Sequence, residues 1–286
     1  MDTRLISFLE LLETKNYTQA AKHLNITQPA VTKHIQSLEE EFGVKLFTYD
    51  GKKIHLNPAA ERLASYARSQ QKNYKDLVAH FKKEPLNHIK IGLTKTLGTY
   101  AYVADLGRMI SARPNHVTLL VDNTEILLDQ LKRGDLDFLL VEGRFAKSEF
   151  AHRVLQEEVF TGLCPKGHPY EGQTLQVEDL LKESILIREP GSGSREILED
   201  KLYHKGYGVK DFSRLITCSS LSLIVALIKR GTGLSFGYES ILKKETELAA
   251  FGVDGVTSRH EFCLVALKGT AGLKLYDELL AGETSA

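Results

Sequence analysis

The sequence predicts an α/β protein made of two unlike parts: a winged helix-turn-helix and a long linker helix, then a two-subdomain α/β region. Three observations predict it. Residues up to about 85 show helical spacing with capping residues. A two-residue hairpin signal, Asp50-Gly51, sits between short β-type runs. Beyond Pro85, short β-rich runs alternate with helical stretches.

The elements follow in order. Leu5, Phe8, Leu9 and Leu12 recur at helical spacing. Thr18 is the expected N-cap before QAAKHL, and Thr27 the N-cap before QPAVTKHIQSLEEEF. Pro29 falls in the first turn of that helix, where its missing N–H costs nothing. At about 100° per residue, Val31, Ile35 and Leu38 share one side. Pro29, Thr32, Lys33 and Gln36 share the other, with Gln28 at the tip. The window between Glu13 and Glu39 contains no Asp or Glu, although 26% of the chain is charged.

Two helices joined at Asn25-Ile26 make a helix-turn-helix, whose second helix is the one that enters a major groove. A carboxylate on that face would meet phosphate, which accounts for the missing acids. Gln can read an adenine edge and Lys can reach guanine or phosphate. An ordinary exposed helix with a chance gap in acids is the alternative. KLFTYDGKKIHLN then reads as a wing with Lys52 and Lys53 at its tip, against the alternative of a solvated basic turn. From Ala59 to about Lys83 a long helix carries Leu63, Ala67, Gln70, Tyr74, Leu77 and Phe81 at heptad spacing. That stripe suits a dimer strut; packing on its own chain is the alternative.

After Pro85 the strands expected are HIKIGL, VTLLVD, DFLLVE, VFTGLC, SILIRE, LITCSS, GLSFGY and EFCLVAL. Helical stretches between many of them predict a parallel-type sheet in two groups, with a cleft between. Several strand-to-helix turns carry hydroxyls: Thr94-Lys95-Thr96, Asn123-Thr124, Gly191 to Arg195, and Ser219-Ser220. A helix N-terminus with hydroxyls and an Arg suits a carboxylate; simple N-capping is the plainer reading of each. The expected domains are 1–58, 59–85 and 86–286, the last divided into subdomain I (86–162 plus 264–286) and subdomain II (163–263).

Composition bounds the function. The chain has 37 basic and 37 acidic residues, so any polyanion site must come from local sorting of charge. Residues 1–85 carry 13 basic against 10 acidic, and the remainder 24 against 27. The sign in the first part is the one DNA requires. The N-terminus MDTRLISFLELLE lacks the basic start and apolar core of a secretory signal, and no apolar run approaches the ~20 residues of a membrane span. Cys164, Cys218 and Cys263 are odd in number, widely spaced and suited to a reducing cytosol, with no metal site expected. Gly233-Leu234-Ser235-Phe236-Gly237 fits a nucleophile-elbow pattern, but a helix precedes it and the motif reads as strand, the reverse of what an elbow needs. No catalytic residue is therefore expected.

LISFLELLETKNYTQAAKHLNITQPAVTKHIQSLEEEFGVKLF resembles the N-terminal domain of the LysR-type transcriptional regulators, through Ala20-Ala21, the TQPAVT turn and LEEEFGVKLF. GDLDFLLV, REPGSGSR and IKRGTGLSF fall where that family has similar segments, so the resemblance spans nearly the whole chain. It implies a cytoplasmic, non-enzymatic regulator with an effector-binding domain of periplasmic-binding-protein type. It implies binding to double-stranded DNA with dyad-related half-sites, as a homodimer or homotetramer, with RNA polymerase a further partner. It implies no cofactor beyond a small co-inducer, often anionic. By position, Thr18, Thr27, Gln28, Pro29, Thr32, Lys33 and Gln36, with Lys52 and Lys53, would face DNA. Thr94, Thr96 and Asn123 would line the effector cleft, with Ser192, Ser194, Arg195 and Ser220 opposite. Leu63, Ala67, Tyr74, Leu77 and Phe81 would form the dimer seam. The chain departs from the family at Thr48-Tyr49, where an Arg is usual, and at LNPAA, where Ala60 replaces a usual Gly.

Three other readings compete, one of them a regulator whose cleft is empty or degenerate and which responds to a protein partner. The α/β half alone would suit a solute-binding transport protein, and an enzyme with a DNA-binding appendage would need a catalytic constellation that the sequence does not supply.

Overall fold

The computed structural model describes residues 1–49, 54–82, 88–111 and 116–281. It divides into two compact units. The first comprises residues 1–87, 132–135 and 267–271; the second comprises 88–131, 136–266 and 272–286.

The first unit begins with α1 (Thr3–Thr14), capped by Asp2, whose carboxylate accepts from the Arg4 N–H. α2 (Tyr17–His23) starts one residue before the expected cap. Asn16, not Thr18, caps it, and its side chain accepts from the N–H groups of Thr18 and Gln19. Asn outranks Thr at this position because its carbonyl reaches two amides from an extended backbone. Asn25 then turns the chain with φ +54°, a conformation Asn tolerates better than most residues. α3 (Gln28–Phe42) is capped by Thr27 and carries Pro29 in its first turn, as expected. It ends at Gly43, φ +65°.

Val31, Ile35 and Leu38 are buried against Phe8, Leu11, Ala20 and Ala21. Each such side chain contributes roughly 1.5–3 kcal/mol on leaving water, so α3 has one rotational setting. The wing strands β1 (Phe47–Tyr49) and β2 (Ile54–Leu56) pair antiparallel, Phe47 opposite Leu56. Asp50-Gly51, Lys52 and Lys53 lie outside the described residues.

The linker helix α4 spans Pro58–Phe81. Its apolar stripe divides in use. Ala67 is fully buried, with Ala60 and Ala64, in the unit's own core, and Leu63 packs on that core. Ala67, fully buried where α4 packs on α1, offers no surface to the expected dimer seam, whereas Leu63 is only partly buried. Tyr74 and Leu77 are each 50% exposed and Phe81 is 74% exposed.

In the second unit, β3 (Ile89–Thr94) leads through a single π-helical turn, Leu97–Ala101, to α5 (Val103–Ser111). β4 (Val117–Asp122), α6 (Thr124–Lys132) and β5 (Phe138–Glu142) follow. β3 lies between β4 and β5, parallel to both. β6 (Phe150–Pro165) is a 16-residue strand, and β7 (Thr174–Leu175), α7 (Val177–Leu180), β8 (Ser184–Arg188), α8 (Gly193–His204) and β9 (Arg214–Cys218) come next. β8 and β9 are parallel. α9 (Leu221–Lys229), β10 (Ser235–Tyr238), α10 (Glu239–Lys244), β11 (Leu248–Val253), β12 (Ser258–Leu267) and α11 (Gly272–Ala281) complete the order.

The sheets are mixed, not simply parallel as the alternation of strands and helices predicts. β12 runs antiparallel to β5, and β6 antiparallel to both β10 and β11. β12 and β6 are neighbours in the strand order, so two long strands join a lobe built on β4-β3-β5 to a lobe built on β8, β9, β10 and β11. Ser235, the central residue of the elbow-like motif, lies in β10 and is buried, its hydroxyl donating to the Leu186 carbonyl at 2.6 Å. Its role there is to tie two strands.

Candidate nucleic-acid interface and candidate effector cleft

The exposed side of α3 is built by the capping and packing just described. Thr27, Gln28, Pro29, Lys33 and Gln36 are exposed and Thr32 partly so. The Gln28 side-chain amide donates to the Thr32 hydroxyl at 2.8 Å, joining adjacent turns into one polar surface. Lys33 has no ion-pair partner among the described residues. Of the acids that follow, Glu40 stays exposed on the same side of the helix, seven residues after Lys33, while Glu39 and Glu41 are engaged elsewhere. Glu39 holds the start of the wing, accepting from the Leu46 N–H at 2.9 Å and from Lys45 at 2.7 Å. Glu41 takes the Arg4 guanidinium at 2.6 Å, and Glu10 takes His23 at 2.7 Å. Thr18 is exposed on the first turn of α2.

The second cluster forms where strand ends of both lobes meet. Thr94 ends β3 and Thr96 follows it; both are buried. The Thr94 hydroxyl donates to the carboxylate of Glu142, the last residue of β5, and the Thr96 hydroxyl also bonds it. Glu142 is only 3% exposed. Burial pushes its pKa up, while the two hydroxyls, its own backbone and the charge of Arg188 pull the other way. Asn123 caps α6, its carbonyl accepting from the Ile126 N–H at 3.0 Å. Next to it, the Thr124 hydroxyl is buried without a hydrogen-bond partner.

From the other lobe, the turn before α8 approaches closely. The carbonyl of Gly191, φ +80°, accepts from the Glu125 N–H at 3.4 Å. A Cβ on Gly193 would stand 2.7 Å from the Glu142 carbonyl oxygen and 3.2 Å from the Thr124 hydroxyl, so only glycine permits this approach. Ser192 and Ser194 are buried with their hydroxyls 3.1 Å apart. Arg188, the last residue of β8, is 5% exposed and holds Glu189 through two bonds of 2.8 and 3.0 Å. Lys95 crosses from the first lobe to the same Glu189 carboxylate at 2.9 Å and to the Ser219 carbonyl at 2.8 Å. Burial opposes the Glu189 charge, but the Arg188 and Lys95 hydrogen bonds outweigh it and hold its pKa down at about 2. The Tyr238 phenol, fully buried and without a partner, is pushed well above its ordinary value by burial and by the charges of Glu142 and Glu158.

Of the residues expected in a cleft, Thr94, Thr96, Asn123, Ser192 and Ser194 are therefore brought into one buried cluster. Ser220 caps α9, accepting from the Leu223 N–H at 3.2 Å, one residue from the Lys95 contact. Arg195 is engaged elsewhere: its guanidinium donates to Glu199 at 2.7 Å and to the Arg188 carbonyl at 3.0 Å. The guanidinium in the cluster is that of Arg188. Glu142, Arg188 and Glu189 were not expected from the sequence, whereas Thr124 was among the hydroxyl-bearing turns. The available signal was a charged residue closing an otherwise apolar strand, as in FLLVE and SILIR.

Comparison with known proteins places this geometry in context. Residues 3–61 match the model of the bacterial regulatory helix-turn-helix protein, lysR family, and residues 82–281 match the LysR substrate binding domain. The HTH-type transcriptional regulator CysL of Bacillus subtilis is 29% identical over 249 residues, covering 84% of this chain and 81% of that protein. The RuBisCO operon transcriptional regulator of Allochromatium vinosum is 24% identical over 263 residues, covering 89% and 85%. Among solved structures, a hydrogen-peroxide-bound OxyR variant of Corynebacterium glutamicum aligns with TM-score 0.58 at 21% identity, covering 98% of this chain and 90% of that one. Full-length BenM aligns with TM-score 0.56 at 19% identity, covering 98% and 96%.

Proposed function

Since the chain belongs to the LysR family of helix-turn-helix transcriptional regulators, we propose that α3 reads dyad-related DNA half-sites and that a small effector carrying an anionic group, bound between the two lobes of the second unit, sets promoter activity. The protein acts as a homodimer or homotetramer in the cytoplasm, engages RNA polymerase at the promoter, and catalyses no reaction.

The observation that carries the DNA reading is the exposed side of α3, free of acid from Gln28 to Leu38, with an unpaired Lys33. Gln28, Thr32 and Gln36 contact base edges, Pro29 and Thr27 set the helix tip against the backbone, and Lys33 contacts phosphate or guanine. Thr18, at the start of α2, contacts phosphate, and Lys52 and Lys53 extend the grip from the wing. The exposed Tyr74, Leu77 and Phe81 of α4 supply the association surface.

The effector reading is supported by strand ends and helix N-termini that converge on one buried polar cluster. A ligand there alters the regulator only by favouring one arrangement of the lobes over another. The test is selection of genomic fragments by purified protein at physiological salt. The expected result is enrichment of an inverted repeat. Gln28→Ala is expected to relax preference at one base position by about 1–3 kcal/mol. Failure of the folded protein to enrich any fragment, with or without small acids, would refute the proposal.

A further inference from the structure

Glu142 is the one feature of the cluster that an anionic ligand does not explain. Its carboxylate is enclosed by hydroxyls, and no cation forms an ion pair with it among the described residues. The nearest basic groups are already committed. Arg188 and Lys95 both donate to the single carboxylate of Glu189. Those two cations share one anion by direct hydrogen bonds, while Glu142 has only hydroxyls in reach and feels the charge of Arg188 without an ion pair. A buried carboxylate without a cationic partner is costly unless it is neutralised.

The same cluster holds an unsatisfied donor-acceptor. The Thr124 hydroxyl is buried, has no partner, and faces the Gly193 backbone and Glu142 carbonyl at the mouth of α8. Buried hydroxyls in folded proteins are almost always bonded, so this one is positioned for a group that the chain does not supply.

We infer that the effector is an amino-acid-like zwitterion whose ammonium group pairs with Glu142 and whose carboxylate lies toward Arg188, Lys95 and the head of α8. This rests on the effector reading above and narrows it to a chemical class. A monocarboxylate without the amine satisfies the cations alone and leaves Glu142 facing a second anion, which is unfavourable. A simple amine satisfies Glu142 alone. A zwitterion satisfies both and leaves the cluster neutral. The Thr124 hydroxyl accepts from the ammonium or donates to the carboxylate.

The test uses the full-length protein in thermal-shift and calorimetric titrations. The probes are the proteinogenic amino acids, their des-amino carboxylic acids and matching alkylamines. At least one amino acid is expected to raise Tm, with its des-amino counterpart binding about tenfold more weakly or worse, as loss of a charge-assisted bond implies. Glu142→Gln is expected to abolish that discrimination while still binding the des-amino acid, which also shows that the variant is folded. Equal binding of amino and des-amino probes, or unchanged discrimination in Glu142→Gln, overturns the inference and leaves a simple acid effector standing. No response to any probe overturns both this inference and the effector reading.

Discussion

The polar face of α3 and the cluster at the lobe junction use charge in opposite ways. On α3, Lys33 is exposed and unpaired, and Glu41, Glu10 and Glu39 are folded back onto Arg4, His23 and Lys45. At the junction, Arg188 and Lys95 are held by Glu189, while Glu142 is enclosed by hydroxyls and forms no ion pair among the described residues. The difference follows from solvent. An exposed cation is hydrated at no cost and can wait for a polyanion, whereas a desolvated one must have its partner built in. A site for DNA is recognised by missing acids, a site for a small ligand by a buried charge without an ion pair.

The strongest way to break this comparison is to place an acid on the open face. Lys33→Glu is expected to weaken DNA binding by roughly 100-fold or more at physiological salt, since it removes one phosphate contact and adds a repulsion. Its Tm should match the parent, because Lys33 supports nothing in the fold. A gel-shift titration beside a melting curve separates the two effects; loss of Tm would mean the residue is structural.

The next effect lies at the paired charges. Glu189→Gln is expected to cost about 2 kcal/mol near neutral pH, the scale of hydrogen bonds to charged groups. The sign with pH is fixed by the lowered pKa. Glu189 contributes fully above about 4.5, and the contribution is lost as pH falls toward about 2. The gap between parent and variant in melting temperature should therefore narrow steadily below pH 4.5. A constant gap would show that the pair adds no charge-dependent stability.

The smallest and most specific effect concerns the unpaired acid. Burial raises the Glu142 pKa, so its ionisation destabilises the unliganded fold as pH rises above about 4.5. Glu142→Gln does not titrate. Without ligand, its Tm should gain on the parent as pH rises above about 4.5. A parent that gains on the variant over that range would mean that an unseen partner already stabilises the anion.

The two regions were unequally legible in the sequence. The α3 face rests on local rules: Thr27 caps, Pro29 starts the helix, and a 3.6-residue period sorts Val31, Ile35 and Leu38 inward. Everything needed lies within 15 residues. The error at Thr18 was equally local, because Asn16 competes for the same amides and reaches two of them. The cluster is assembled from Thr94, Asn123, Glu142 and Arg188, which lie on four separate segments, so no spacing rule connects them. Glu142 and Arg188 also close apolar strands, where a charge reads as the start of a loop. The mixed sheet was missed for a related reason: the first half of β6, AHRVLQEE, is too polar to read as strand, and it is held by its neighbours rather than by its own pattern. Ala67 shows the converse, since a heptad stripe does not say whether it faces a second chain or its own domain.

The burial of Arg188 and Glu142 has one more consequence, which concerns ionic strength. Mobile ions screen exposed charges over about 8 Å in physiological salt but do not enter a closed protein interior. If Lys33 contacts phosphate as proposed, that contact weakens steeply as salt rises, while the fit of the proposed ligand to the buried charges hardly changes. A cell under osmotic stress would alter how tightly this protein holds the chromosome without altering how well it recognises its effector.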